Sequence, residues 1–130
     1  DYTKEEMKMV WETQKRMGDN SILVNATAVR VPVFYGHAEA IHLETHSPID
    51  AEQVKQLLAD APGVTLYEGA EQFPTQVSSA SGNDMVHVGR VRNDITHPCG
   101  LNLWVVSDNI RKGAATNSIQ IAETLIRDYM

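Results

Sequence analysis

The stretch ILVNATAVRVPVFYGHAEAIHLE, residues 22–44, follows two hydropathy rules in succession. From Ile22 to Tyr35 the run is rich in β-branched residues and apolar in both parities, which predicts a strand covered on both faces. Pro32 interrupts it and, lacking an N–H, marks a bulge, a bend or the end of regular pairing. After Gly36 the pattern changes to alternation: His37, Glu39, Ile41 and Leu43 share one face, His42, Glu44 and His46 the other. Two strands in direct succession speak for antiparallel or mixed pairing rather than a βαβ crossover.

Upstream, TKEEMKMVWETQKRMG sets Thr3 three residues before Glu6, a capping box in which each side chain satisfies a backbone N–H at the helix start. A helix to Met17 is predicted, with Gly18 at its C-cap. Met7, Val10, Trp11 and Met17 form its apolar stripe; Glu5, Lys8 and Glu12 lie on another face. Downstream, SPIDAEQVKQLLADAPGV predicts a helix capped near Asp50 and ending before Pro62, packing through Val54, Leu57 and Leu58. VTLYE is a short strand. GAEQFPTQVSSASGND has no clear period and reads as a loop with at most a short strand around Gln76 and Val77. MVHVGRVRND and LNLWVVSDN are strands joined at HPCG. The last helix follows Gly113, with Ala115, Ile119, Ala122 and Ile126 at helical spacing. The order α-β-β-α-β-β-β-α defines an α+β class, a mixed or antiparallel sheet covered by helices.

The 130 residues fit one domain, and 42% hydrophobic with 22% charged residues is an ordinary globular composition. No apolar run reaches the ~20 residues of a membrane span. A net charge of −6 with scattered basic residues argues against nucleic acid as partner. The single cysteine, Cys99, excludes an internal disulfide framework and fits a reducing, cytoplasmic compartment. The opening DYTKEEMK, without Met, suggests part of something longer.

Arg30 sits among apolar neighbours in both parities, so its charge is expected to be at least partly buried and to need an anion. Two readings stand: a structural salt bridge, or a bidentate clamp on a substrate carboxylate. His37, just past Gly36 at the end of the apolar run, could exchange a proton in a cleft, or serve structure alone. His42, Glu44 and His46 offer metal-ligand chemistry on paper. Same-face residues about 7 Å apart do not converge on one ion, however, so an exposed or subunit-facing polar strip is the better reading. Cys99, in a turn with no evident base, reads as structural. DNIRKGAATN leaves backbone N–H groups facing outward ahead of the last helix, a place for an anion or a cofactor amide.

EEMKMVWET, ATAVRVPVFYGHAEAIHLET, VGRVRND and GLNLWVVSDNIRKGAATNSIQIAETLI, in that order, resemble the C-terminal part of aspartate-β-semialdehyde dehydrogenase, with RVPVxxxH as a specific motif. The resemblance implies the C-terminal domain of a glyceraldehyde-phosphate-dehydrogenase-like, two-domain enzyme. It implies the NADP-dependent conversion of β-aspartyl phosphate to aspartate β-semialdehyde, through a thioester on cysteine, towards lysine (by way of diaminopimelate), threonine and methionine. Arg30 would hold the substrate α-carboxylate, Glu5 the amino group and Lys8 the phosphate. His37 would be the acid/base, and Asn109 would touch the nicotinamide end of NADP. Residues 1–107 would form the dimerisation and substrate-binding domain, and 108–130 a loop and helix packing on the nucleotide domain. A homodimer is implied, paired through the sheet. The family's glycine-rich nucleotide loop and its cysteine nucleophile have no counterpart among these residues, so the chain alone is expected to be inactive. The competing expectation is a shortened paralogue that acts as an assembly module.

Overall fold

The computed structural model describes residues 1–130, which form two compact units, Asp1–Pro32 and Val33–Met130.

In the first unit, helix α1 (Lys4–Met17) begins at the expected capping box. The Glu6 N–H donates to Thr3 Oγ1 at 3.2 Å, and the Thr3 N–H donates to Glu6 Oε2 at 2.8 Å. The helix ends where Gly18 adopts φ +67°, letting the Asp19 N–H reach back to the Gln14 carbonyl at 3.1 Å. The chain then returns along the helix, held by side chains. Gln14 Nε2 donates to the Ile22 carbonyl at 2.9 Å, the Tyr2 hydroxyl to Asn25 Oδ1 at 3.3 Å, and the Ala28 N–H to Glu6 Oε1 at 2.9 Å.

The strand predicted from Ile22 to Tyr35 does not form: these residues are neither helix nor ladder. Apolarity in both parities requires covering but supplies no neighbouring strand, and a strand exists only where its N–H and C=O groups find one. Leu23 is 95% and Val29 76% exposed. Arg30 is likewise exposed rather than partly buried, and the valines on either side of it do not enclose it, Val29 being 76% and Val31 51% exposed.

The second unit is built on a four-stranded sheet in the order β1-β4-β3-β2, formed by β1 (His37–Glu44), β2 (Val64–Tyr67), β3 (Val86–Asn93) and β4 (Gly100–Ser107). The β1/β4 and β4/β3 pairs are antiparallel and β2/β3 is parallel, so the sheet is mixed, as expected. Helix α2 (Ala51–Ala59) supplies the β1 to β2 connection. It covers one face through Ala51, Val54 and Leu58, packed on Val88, Val91, Leu101 and Leu43. Leu57, expected in that contact, is 69% exposed instead. The α2 cap also differs: Asp50 makes no side-chain cap bond, and Asn93 Oδ1 on β3 accepts the Ala51 N–H at 2.7 Å.

A bulge in β3 shifts the register between Gly89, opposite Trp104, and Arg92, opposite Asn102. Arg90 takes φ +57° to accommodate the extra residue, and Val91 turns into the core.

On the opposite face the segment between β2 and β3 packs down on the sheet. Trp104 Nε1 donates to the Pro74 carbonyl at 2.8 Å, and a Cβ on Gly89 would stand 2.8 Å from Pro74 Cδ, so only glycine admits the proline. The expected short strand near Gln76 is a wide helical turn, Gln76–Ala80. The Ser81 N–H closes it on the Gln76 carbonyl at 2.9 Å, and Thr75 Oγ1 caps it by accepting the Ser78 N–H at 3.0 Å. A second wide turn, Arg111–Ala115, precedes helix α3 (Thr116–Tyr129). The apolar stripe expected on α3 is exposed, Ile119 at 60% and Ile126 at 62%, so its spacing is helical but this chain does not cover it. No helix is long and apolar enough to cross a membrane.

His87 lies beneath the packed-down segment, 3% exposed, its ring edge-on to Tyr67 and its Nε2 without a partner. Burial penalises the imidazolium and pushes its pKa below the usual histidine value. Below about pH 6.5 the unfolded chain therefore binds more protons than the folded one, and stability falls as the pH drops. Urea unfolding at pH 7.5 and 5.5 should show this loss in the parent sequence and a smaller one in His87→Gln. An equal loss in both would mean that another group is responsible.

Candidate functional site

Within the first unit, α1 carries Glu5 and Lys8 one turn apart, with Lys8 Nζ 3.4 Å from Glu5 Oε2 and both side chains solvent-accessible. The i, i+3 spacing makes them neighbours, as the helix reading required. Arg30 lies on the returning segment, exposed and engaged in no hydrogen bond or ion pair. A structural salt bridge is thus not what Arg30 makes here. Its fork of donors is available to a planar anion. Glu6, read from the sequence as the capping partner of Thr3, has a second bond that was not foreseen: its carboxylate ties the helix start to Ala28, two residues before Arg30. The T-x-x-E spacing disclosed its cap, but nothing in the pattern disclosed its second bond.

Within the second unit, His37 is the first residue of β1, opposite Ser107 at the end of β4, and is exposed. The turn before it is tightly built. Gly36 is buried at φ +91°, where an L side chain is strained, and an added Cβ would meet Gln76 Cβ at 3.0 Å. Its N–H donates to Asn109 Oδ1 at 2.8 Å. His37 and Asn109, 72 positions apart in the chain, are thus linked through one hydrogen bond at one end of the sheet.

The loop carrying Asn109 is organised by Asp108, 3% exposed, which sequence reasoning passed over. Its carboxylate accepts the N–H groups of Arg111 at 2.9 Å, Gly82 at 2.8 Å and Ile110 at 2.8 Å, and these bonds hold its pKa below the usual carboxylate value. Arg111 in turn forks onto Asp84, with two N···O distances of 2.7 Å, and the Thr116 hydroxyl donates to Asp84 at 2.8 Å. The signal available in the sequence was the D-N-I-R order, an aspartate ahead of a helical turn.

The polar strip of β1 assembles differently from a metal centre. His42 Nε2 lies 2.7 Å from Asp94 Oδ2. Asp94, bonded first by the hydroxyl and N–H of Thr96 and then by His42, has its pKa lowered to about 2. Cys99 sits in the β3–β4 turn, its carbonyl accepting the Thr45 N–H at 3.0 Å, with no base on its thiol.

By fold the chain is an α+β module built on a mixed four-stranded sheet. It superposes on aspartate semialdehyde dehydrogenase II of Vibrio cholerae, solved with ASA, at TM-score 0.93 and 68% identity, covering 99% of this chain and 38% of that one. A probable aspartate-semialdehyde dehydrogenase of Pseudomonas aeruginosa matches at TM-score 0.88 and 36% identity, covering 99% and 38%. In sequence it is 70% identical over 128 residues to the aspartate-semialdehyde dehydrogenase of Shewanella violacea, 98% of this chain and 38% of that protein. The chain thus spans about 38% of the length of the curated relatives it matches. The family model described as semialdehyde dehydrogenase, dimerisation domain matches residues 1–112, and the chain belongs to that family.

Proposed function

We propose that this chain is the substrate-binding and subunit-pairing portion of an NADP-dependent aspartate-semialdehyde dehydrogenase, acting in the cytoplasm on the route to lysine, threonine and methionine. The observation that carries the reading is the Gly36 to Asn109 hydrogen bond, because it links the candidate acid/base to the candidate cofactor contact. His37, held by the turn before it and open to solvent, takes the proton of the attacking thiol and returns it as the reaction requires. Arg30 holds the substrate α-carboxylate through its fork. Glu5 meets the amino group and Lys8 the phosphate.

The residues present fit a nicotinamide cofactor. Asn109 spends Oδ1 on Gly36, so its Nδ2 amide is left to donate to a carboxamide oxygen. When bound, a nicotinamide cofactor would supply the hydride acceptor or donor. The cysteine nucleophile and the principal nucleotide site lie on residues this chain does not contain. Residues 1–107 form the dimerisation and substrate-binding part, and 108–130 lead into the helix that packs on the nucleotide domain, in keeping with an α3 that buries none of its side chains. The outer face of β1, with Ala40, His42 and Glu44 exposed at a sheet edge, pairs two copies into a homodimer.

The test is NADP reduction with aspartate semialdehyde and phosphate, on the chain alone and after mixing with a separately made N-terminal portion carrying the nucleotide loop and cysteine. Silence alone and activity in the mixture is the expected result. Activity of the isolated chain would overturn the division of labour. Silence in both, with the chain folded and dimeric, would favour a non-catalytic assembly module.

A further inference from the structure

Glu6 is 8% exposed on a helix whose other residues all face at least partly outward, and both of its carboxylate oxygens are in use. Oε2 accepts the Thr3 N–H at 2.8 Å and completes the capping box. That motif asks for one oxygen only. Oε1 accepts the Ala28 N–H at 2.9 Å, 22 positions on, in a segment that has no ladder partner to hold it. Ala28 and Arg30 are two residues apart in the chain, so anchoring Ala28 keeps the Arg30 backbone within about two residue lengths of that anchor. Glu5 and Lys8 lie in the same helical turn as Glu6, on the adjoining exposed face. Of the side chains that tie the returning segment to α1, this buried carboxylate is the one bonded nearest to Arg30 in the chain, and it sits in the turn that bears Glu5 and Lys8.

We infer that Glu6 is a positioning residue for substrate binding, keeping the Arg30 guanidinium at a fixed spacing from Glu5 and Lys8 so that one small amino-acid substrate meets all three. The inference rests on the roles proposed above for those residues and deepens them. A carboxylate is needed because two N–H groups converge on it. Glutamine offers a single acceptor oxygen and turns a donor on whichever N–H it fails to satisfy.

The experiment compares Glu6→Gln, Thr3→Ala and Arg30→Ala in the full-length dehydrogenase. Glu6→Gln should raise KM for aspartate semialdehyde about tenfold while kcat and the KM for NADP stay within about twofold, as for loss of one charge-assisted bond that acts only on substrate placement. Thr3→Ala dismantles the hydroxyl side of the same capping box but leaves the Ala28 N–H its carboxylate, so it reports lost helix stability and should leave KM unchanged. With 3-aminopropanal, which lacks the α-carboxylate, the Glu6→Gln and parent enzymes should be equally slow. If Glu6→Gln does not fold, Glu6→Asp, which keeps the charge but falls short of Ala28, replaces it with the same expectations. A parent-like KM in the Glu6 variant, an equal rise in Thr3→Ala, or an equal rise in the KM for NADP would overturn the inference. If Arg30→Ala raises the semialdehyde KM and the Glu6 variant does not, only the positioning role falls. If Arg30→Ala also leaves it unchanged, the proposed role of Arg30 falls with it.

Discussion

His37→Ala in the assembled enzyme lowers kcat by about 10²- to 10⁴-fold, the usual contribution of a positioned general acid/base, with the semialdehyde KM little changed. The expectation follows from where the imidazole stands. It opens β1 at the sheet end, exposed, and is preceded by a glycine whose backbone is fixed by Asn109 and by the close packing of Gln76. A purely structural histidine would be bonded to a protein partner, as the exposed His42 is to Asp94, and its loss would appear in stability rather than in turnover. Steady-state kinetics and thermal unfolding on the same His37→Ala preparation separate the two. Unchanged kcat with a lowered Tm would remove His37 from the chemistry. His42→Ala is the natural comparison, since it should shift stability modestly and leave kcat alone.

Arg30→Ala should lower kcat/KM for aspartate semialdehyde by about 10²- to 10³-fold, mostly through KM, because a substrate carboxylate would lose a two-point, charge-assisted contact. Arg30→Lys should recover little of this, since an ammonium keeps the charge but not the planar fork. The guanidinium is free to receive a carboxylate, being exposed and making no ion pair that the mutation would break. Folding stability should therefore be nearly unaffected, and a large fall in Tm for Arg30→Ala would show that the side chain has a structural partner after all. Recovery by lysine to near the parent value would show that charge alone, without the fork, is enough.

Elements whose signals are local were legible in the sequence. The capping box and Gly18 set both ends of α1 because their hydrogen bonds close within a few residues. Alternation located β1, and β-branched content located β3 and β4, because each of these strands packs against a neighbour from the same chain. The Ile22 to Tyr35 run misled because its hydropathy reports that covering is needed, whereas a strand also requires a ladder partner that these 130 residues do not provide. Leu57 misled for a related reason: helical spacing nominates a stripe, but the width of the sheet beneath α2 decides how much of it is covered.

What the sequence determined by itself is the α+β class, the order and ends of most elements, and the chemical kinds of residue available: a guanidinium, an imidazole, a Glu–Lys pair one helical turn apart and an asparagine before the last helix. Only the tertiary structure decided what each of them touches. Glu6 reaching Ala28, Asn109 reaching Gly36, Asn93 capping α2 and Asp108 gathering three N–H groups are all contacts set by how the chain returns on itself. Periodicity carries information over a few residues, whereas these bonds join groups placed by turns and by strand register, which no local pattern encodes.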